Sequence, residues 1–276
     1  MSALTSWLTP VWPAPANVHA VCTTREGGAS KGSYDGLNLG DHVGDQLDAV
    51  ARNRLCFAQT LTAHPVFLQQ VHGWKVAELA ANTPDGQLAD ACATVESGIA
   101  CTVMVADCLP VLFTRTDGSM VAAAHAGWRG LLGLGGYGVL EATLERFSIH
   151  AQLQYPSAAI DNVANGIVQS RFGDNLLAWL GPCIGPQAFE VGAEVRESFV
   201  QDDPACDTQF QALGGGKFLA NLSGLARDRL QRLGLTHIYG NDGSEAWCTV
   251  SNPSQFFSHR RDQGVSGRFA ASIWRE

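Results

Sequence analysis

The sequence predicts an α+β fold, and three observations carry the prediction. Short apolar or alternating runs outnumber the helical stretches. Two of the best runs flank Asp117-Gly118, the pattern of an antiparallel hairpin. The helical stretches are scattered, whereas a doubly wound parallel sheet needs regular strand–helix alternation. Composition agrees. In 276 residues, 46% are hydrophobic, 16% are charged and 30 are glycine, which suits buried strands joined by tight turns. No internal repeat, low-complexity segment or linker divides the chain, so a single domain over residues 1–276 is expected.

In chain order, residues 1–17 read as irregular. Val18 to Thr24 alternates as a first strand, and Arg25-Glu26-Gly27-Gly28-Ala29-Ser30 is a loop leading to Gly36-Leu37-Asn38-Leu39-Gly40. Asp45 to Thr62 is a helix, with Leu47, Val50, Ala51, Leu55 and Ala58 at helical spacing. Val66 to Val71 is a strand ending at His72-Gly73, and Trp74 to Ala77 resumes one. Asp90 to Thr94 is extended. Ile99 to Ala106 is the best buried strand, nearly all apolar with β-branched residues, and it delivers Asp107-Cys108. Leu109-Pro110 then argues against Cys108 simply continuing that strand. Val111 to Thr114 and Met120 to Ala124 form the hairpin.

A helix is expected after Gly130. Glycines at 133, 135, 136 and 138 delay its firm part to Tyr137–Phe147. His150 to Asn175 has no period and reads as an irregular insertion. Strands follow at Leu176–Leu180, Lys217–Leu219, Thr236–Tyr239 and Gly267–Trp274. Helices follow at Ala193–Gln201 and Asn221–Leu233, with a rigid loop at Gly181–Pro186.

A net charge of −8 gives no global attraction to nucleic acid or anionic membranes. The longest apolar run, Gly98 to Ala106, is far short of the roughly 20 residues a membrane helix needs. The start lacks a basic stretch followed by an apolar core. The eight cysteines are scattered with no Cys-x-x-Cys, so they read as reduced thiols of a cytoplasmic protein.

The chemistry concentrates at Ala106-Asp107-Cys108-Leu109-Pro110 and His125-Ala126-Gly127-Trp128-Arg129-Gly130. A hairpin brings its outer ends together, so Cys108 and His125 are expected to be neighbours. Such a pair suits either a metal site or a Cys/His nucleophilic pair. His72, at a strand end before Gly73, is a third candidate. Two His and one Cys would make an open three-ligand metal site. The loop at Arg25, with Asn38 close behind it, could present backbone N–H groups and a fixed cation to an anion. Arg129, Arg260 and Arg261 are further candidates to hold phosphate. Strand alternation would point Asp107 away from Cys108. Trp128, Phe256 and Phe257 could stack on a planar base or fill the core.

Gln70-Val71-His72-Gly73, Ala106-Asp107-Cys108-Leu109-Pro110 and His125-Ala126-Gly127-Trp128-Arg129-Gly130, in that order, resemble the signature of the laccase-domain family. That family is also called multicopper polyphenol oxidase or YfiH-like. The likeness continues through Thr24-Arg25-Glu26-Gly27-Gly28, Asn38-Leu39-Gly40, Leu180 to Pro186 and Phe256-Phe257-Ser258-His259-Arg260-Arg261-Asp262, nearly the whole chain. The resemblance implies mixed β-sheets packed as a sandwich with flanking helices, similar to the catalytic domain of cytotoxic necrotizing factor. It implies zinc on His72, Cys108 and His125, which would also be the catalytic residues. Copper is disfavoured, because the His-rich pairs of a multicopper site are missing.

The implied activity is phosphorolysis of purine nucleosides (adenosine, inosine, methylthioadenosine), with adenosine deamination. The implied partners are purine nucleoside and phosphate, for a monomer or weak homodimer. The rival reading makes Cys108 a thiolate nucleophile activated by His125, as in an amidohydrolase that edits peptidoglycan precursors. A third class is a non-enzymatic zinc- or partner-binding domain. The chain departs from the family in the run 133–138 and the segment 148–175, both longer than usual.

Overall fold

The computed structural model describes residues 7–154 and 175–276. Fourteen strands and five α-helices among these residues form two large mixed sheets, one small sheet and flanking helices. The first sheet has the order β1 (Val18–Cys22), β14 (Phe269–Arg275), β6 (Ile99–Val105), β2 (His64–Gln69), β4 (Gln87–Leu88). The second has the order β13 (His237–Gly240), β9 (Leu176–Leu180), β7 (Leu109–Arg115), β8 (Val121–Ala126), β5 (Ala91–Thr94), β3 (Val76–Glu78). The small sheet is β10 (Glu190–Gly192), β12 (Lys217–Ala220) and β11 (Phe210–Gly214).

The expected α+β sandwich is what forms, and alternation along the strands explains it. On β6, Cys101, Val103 and Val105 face the second sheet and pack with Leu112, Ala123 and Trp179, while Ala100 and Met104 face α1 (Leu47–Thr60) with Phe57 and Phe67. On β7, Leu112 faces the first sheet. Val111 and Phe113 turn outward to a core shared with α3 (Val139–Gln154) and α5 (Leu222–Arg232). Both faces of each central strand are therefore covered, which is why all seven residues of β6 are buried.

The hairpin of β7 and β8 forms with Pro110 opposite His125 and Leu109 opposite Ala126. Pro110 lies inside the strand, at its second position. The strand break comes earlier, at residues 106–108, where the chain leaves the first sheet for the second. The helix after the hairpin starts sooner than expected: α2 is the short Trp128–Leu132. A turn follows in which Gly133, Gly135 and Gly136 all have positive φ, and α3 then runs to Gln154. The expectation of irregular chain from His150 is thus corrected for 150–154, whose Ala-Gln-Leu-Gln residues are good helix formers; residues 155–174 of that segment lie outside the described residues. The three-stranded sheet gains β10 and β11, which the sequence reading left out. α4 (Ala193–Asp202) matches expectation.

Candidate metal centre

The site is built where the chain crosses between the two large sheets. β2 of the first sheet leads through His72 to β3 of the second, and β6 of the first leads through Cys108 to β7 of the second. Both crossings need a left-handed backbone: φ is 61° at His72 and 89° at Asp107. Such conformations cost a non-glycine residue free energy and persist only where the surroundings hold them.

Here the hold is visible. At the first crossing, the buried Asp90 carboxylate accepts the backbone N–H of His72 at 2.8 Å and Gly73 at 2.7 Å, and of Val71 at 3.2 Å. At the second, Asp107 accepts the Thr249 hydroxyl and the Arg260 backbone N–H, each at 2.6 Å. Gln70 ties the crossings together. Its side-chain N–H donates to Met104 O and its side-chain oxygen accepts Met104 N–H, both at 2.8 Å.

The third group comes from the hairpin. His125 is the penultimate residue of β8, is buried, and shares its Nδ1 proton with Asp90 at 2.9 Å. One carboxylate therefore positions two of the three side chains. The ligand atoms of His72, Cys108 and His125 all lie within 4.8 Å of one another, and Cys108 Sγ stands 3.7 Å from His72 Nε2. The two imidazole rings meet edge to face at 4.8 Å. Burial would push the Cys108 thiol up, but the charges and hydrogen bonds of His125 and His72 bring it down to about 6. Burial would likewise lower His125, but the Cys108 thiolate and Asp90 raise it to about 9. Burial opposes ionisation of Asp90 too, and His125 with the amides of Gly73 and Val71 more than offsets it, holding the carboxyl below its usual range.

This donor set fits a metal ion. Bonds of about 2.0–2.3 Å put tetrahedral ligand atoms about 3.5 Å apart, close to the 3.7 Å between Cys108 Sγ and His72 Nε2. With Nδ1 of His125 held by Asp90, its other nitrogen is left for a metal, the carboxylate–histidine arrangement common in such sites. The thiol ionises readily, as a ligand must. Gly127 makes room: a Cβ there would lie 2.8 Å from His72 Cδ2 and 3.0 Å from Cys108 Sγ. Three protein ligands leave a fourth position facing a cavity of about 460 Å³.

The other sequence candidates separate into two groups. Arg129 and Arg260 line the cavity, and so does Trp128. Arg25, Asn38 and Arg261 do not. Arg25 donates to Asp35 O and Pro253 O and lies over Phe257. Asn38 is buried and bonds Asp45 and Gly40. Arg261 is tied to Asp262, Thr249 O and Phe256 O. Phe256 and Phe257 fill the core between the sheets. Asp107 borders the cavity, but its oxygens are occupied in holding the turn.

Sequence reasoning missed Asp90, whose one signal is an acid opening an otherwise apolar buried strand. It also missed Arg268, His42, His259 and Phe189 at the cavity wall.

Comparison with known proteins places the chain in a family. The family described as multi-copper polyphenol oxidoreductase laccase matches residues 19–276. A curated relative named purine nucleoside phosphorylase PA4543, from Pseudomonas aeruginosa, is 43% identical and covers 98% of this chain and 99% of its own. Purine nucleoside phosphorylase YfiH from Escherichia coli is 44% identical, covering 97% and 98%. Among solved structures, the Neisseria meningitidis protein NMB0706 superposes with a TM-score of 0.78 at 43% identity, covering 99% of this chain and 100% of that one. YlmD from Geobacillus stearothermophilus gives 0.81 at 28% identity, covering 100% and 98%. With the match spanning nearly its full length, the chain belongs to the laccase-like multi-copper polyphenol oxidoreductase family.

Proposed function

We propose that this chain is a zinc-dependent purine nucleoside phosphorylase acting on adenosine, inosine and methylthioadenosine, with adenosine deaminase activity at the same site. The observation that carries the reading is a cavity joining three features: an open His-Cys-His set, apolar walls and unneutralised arginines. Its volume is in the range of small-molecule sites. The names of the relatives point the same way.

One thiolate and two imidazoles suit zinc. Among the described residues this is the one such cluster, so a set of several copper sites is not assembled. Bound there, zinc would supply Lewis acidity and a fixed positive charge facing the substrate.

The protein's own groups do the rest. Trp128, Ile184 and Phe189 offer apolar surface to a purine. Arg129 and Arg260 stand at the cavity edge, with donors for an anion. In phosphorolysis a phosphate oxygen attacks C1′ of the ribose, the C1′–N9 bond breaks, and the purine leaves with a proton. Outside the ligand set, His42 and His259 are the imidazoles bordering the cavity that could give it. Asp90 keeps His125 in one tautomer throughout.

The second reading, a Cys108 nucleophile with His125 as base, is favoured by the lowered thiol. Metal content separates the two. Protein purified aerobically without added metal is expected to hold about one zinc per chain and to release hypoxanthine from inosine only with phosphate. Cys108→Ala is expected to lose both. A metal-free, fully active protein would remove the zinc mechanism.

A further inference from the structure

Resting on the phosphorolysis reading, we propose that Arg268 is the residue that grips the phosphate, and that Asn38-Leu39-Gly40 is its seat. Three arginines near the site are committed elsewhere: Arg25 to Asp35 O and Pro253 O, Arg54 to Leu39 O and Asp41, Arg261 to Asp262 and Thr249 O. Three others line the cavity. Arg129 and Arg260 are exposed, and each lies over an aromatic ring, Trp128 at 4.3 Å and Phe189 at 5.8 Å.

Arg268 differs from both. It is half-buried, yet among the described residues it forms no ion pair. Its Nη1 donates to Ser266 O at 2.8 Å and Gly267 O at 3.0 Å, while Nε and Nη2 make no hydrogen bond among the described residues. Those two nitrogens form one edge of the guanidinium plane, the edge that engages two oxygens of an oxyanion at once. Burial works against this charge, and the neighbouring Cys108 and Asp107 offset it only in part. A partly desolvated guanidinium with no ion pair of its own, its burial only partly offset, gains more from an arriving anion than one at the rim does.

The seat explains a motif that otherwise has no task. Asn38 Oδ1 accepts the backbone N–H of Arg268 at 2.8 Å and of Gly40 at 2.9 Å, and Leu39 N–H donates to Arg268 O at 2.9 Å. Gly40 leaves space for the arginine stem, because a Cβ there would lie 2.8 Å from Arg268 Cγ. Asn38 thus reaches the substrate through Arg268, as a positioning residue that does not line the cavity. His42, which also borders the cavity, is held in the same segment.

The test is calorimetric titration of inorganic phosphate into the metal-loaded full chain, with inosine phosphorolysis measured on the same samples. Arg268→Gln is expected to weaken phosphate binding about 10- to 100-fold. It should raise KM for phosphate and leave KM for inosine in place. Arg268→Lys keeps a charge and a stem but loses the fork, so it should fall between; it carries the test if the glutamine variant folds poorly. Gly40→Ala should weaken phosphate binding without adding or removing a charge. Unchanged phosphate affinity in Arg268→Gln, or no phosphate binding by the wild type, would overturn the assignment. Arg268-dependent phosphate binding without hypoxanthine release would instead sink the phosphorylase reading and leave the anion site standing. Phosphorolysis with a phosphate KM indifferent to Arg268 would do the reverse.

Discussion

Replacing Asp90 by Asn changes almost no volume and tests the centre at its base. The carboxylate accepts four N–H groups: His125 Nδ1, His72 N, Gly73 N and Val71 N. An amide accepts on one oxygen only. If that oxygen takes the Oδ1 position, it keeps His125 and His72, but its NH₂ then faces the Gly73 N–H, donor against donor. The flipped amide loses His125 and His72 instead, which is worse. The cheaper arrangement leaves one buried backbone donor unpaired, at about 1–3 kcal/mol. For a chain of this size that is roughly 2–12 °C in melting temperature. Loss of the charge behind His125 also weakens the metal site, by about 10- to 100-fold in affinity. The assay is competition for zinc with a chelator of known affinity, alongside melting curves of the metal-free and metal-loaded protein. Asp90→Asn should melt lower in both states and gain less from metal than the wild type does. Wild-type zinc affinity in a variant that only melts lower would refute the reasoning, since Asp90 would then support the loop and not the ligands.

Three other outcomes follow from particular contacts. Gly127→Ala puts a methyl against His72 and Cys108, so zinc affinity should drop at least tenfold while the metal-free melt changes little; equal affinity would show that the ligands have room to shift. Arg229 is buried between Glu141 and Asp202, and Arg229→Met takes the buried cation from both, leaving Asp202 only the longer Arg232 contact, so a loss of about 3–5 kcal/mol is expected in urea unfolding. Burial opposes ionisation of Asp262, but Arg261 and Ser266 more than offset it and hold the carboxyl below its usual value. Its contribution to stability is therefore full above about pH 4 and fades as pH falls through the folded value. Asp262→Asn should flatten the fall in melting temperature below pH 4, and a parallel curve would count against the pair.

Much of the frame was legible because it is written in burial. β6 has apolar and β-branched residues on both faces, and no other assignment suits such a run. The hairpin announced itself through Asp117-Gly118, and with it the meeting of Cys108 and His125. β10 and β11 escaped because they are short, and β11 is largely exposed, so neither carries an apolar period. The cations were legible as residue types but not as positions. Arg25 is spent on the carbonyls of Asp35 and Pro253, and Arg261 on those of Thr249 and Phe256, pairings that no periodic pattern reveals. Asp90 and Arg268 stayed hidden as well. Each sits at the edge of an apolar strand and meets its decisive partners, His72 and His125 for the first and Asn38 for the second, only through the fold.

The placement of two ligand residues on the crossings between sheets has a consequence for how such a protein can change. The centre is anchored in the stitching of the fold, whereas much of the chamber in front of it is built from separate stretches around Phe189, Leu222 and 259–268. The stretches around Phe189 and Leu222 can be exchanged, lengthened or recharged without unpicking the seam, whereas the backbone at Arg260 is tied to it through Asp107. One inherited reactive core can thus face different small molecules by redecorating the room around it.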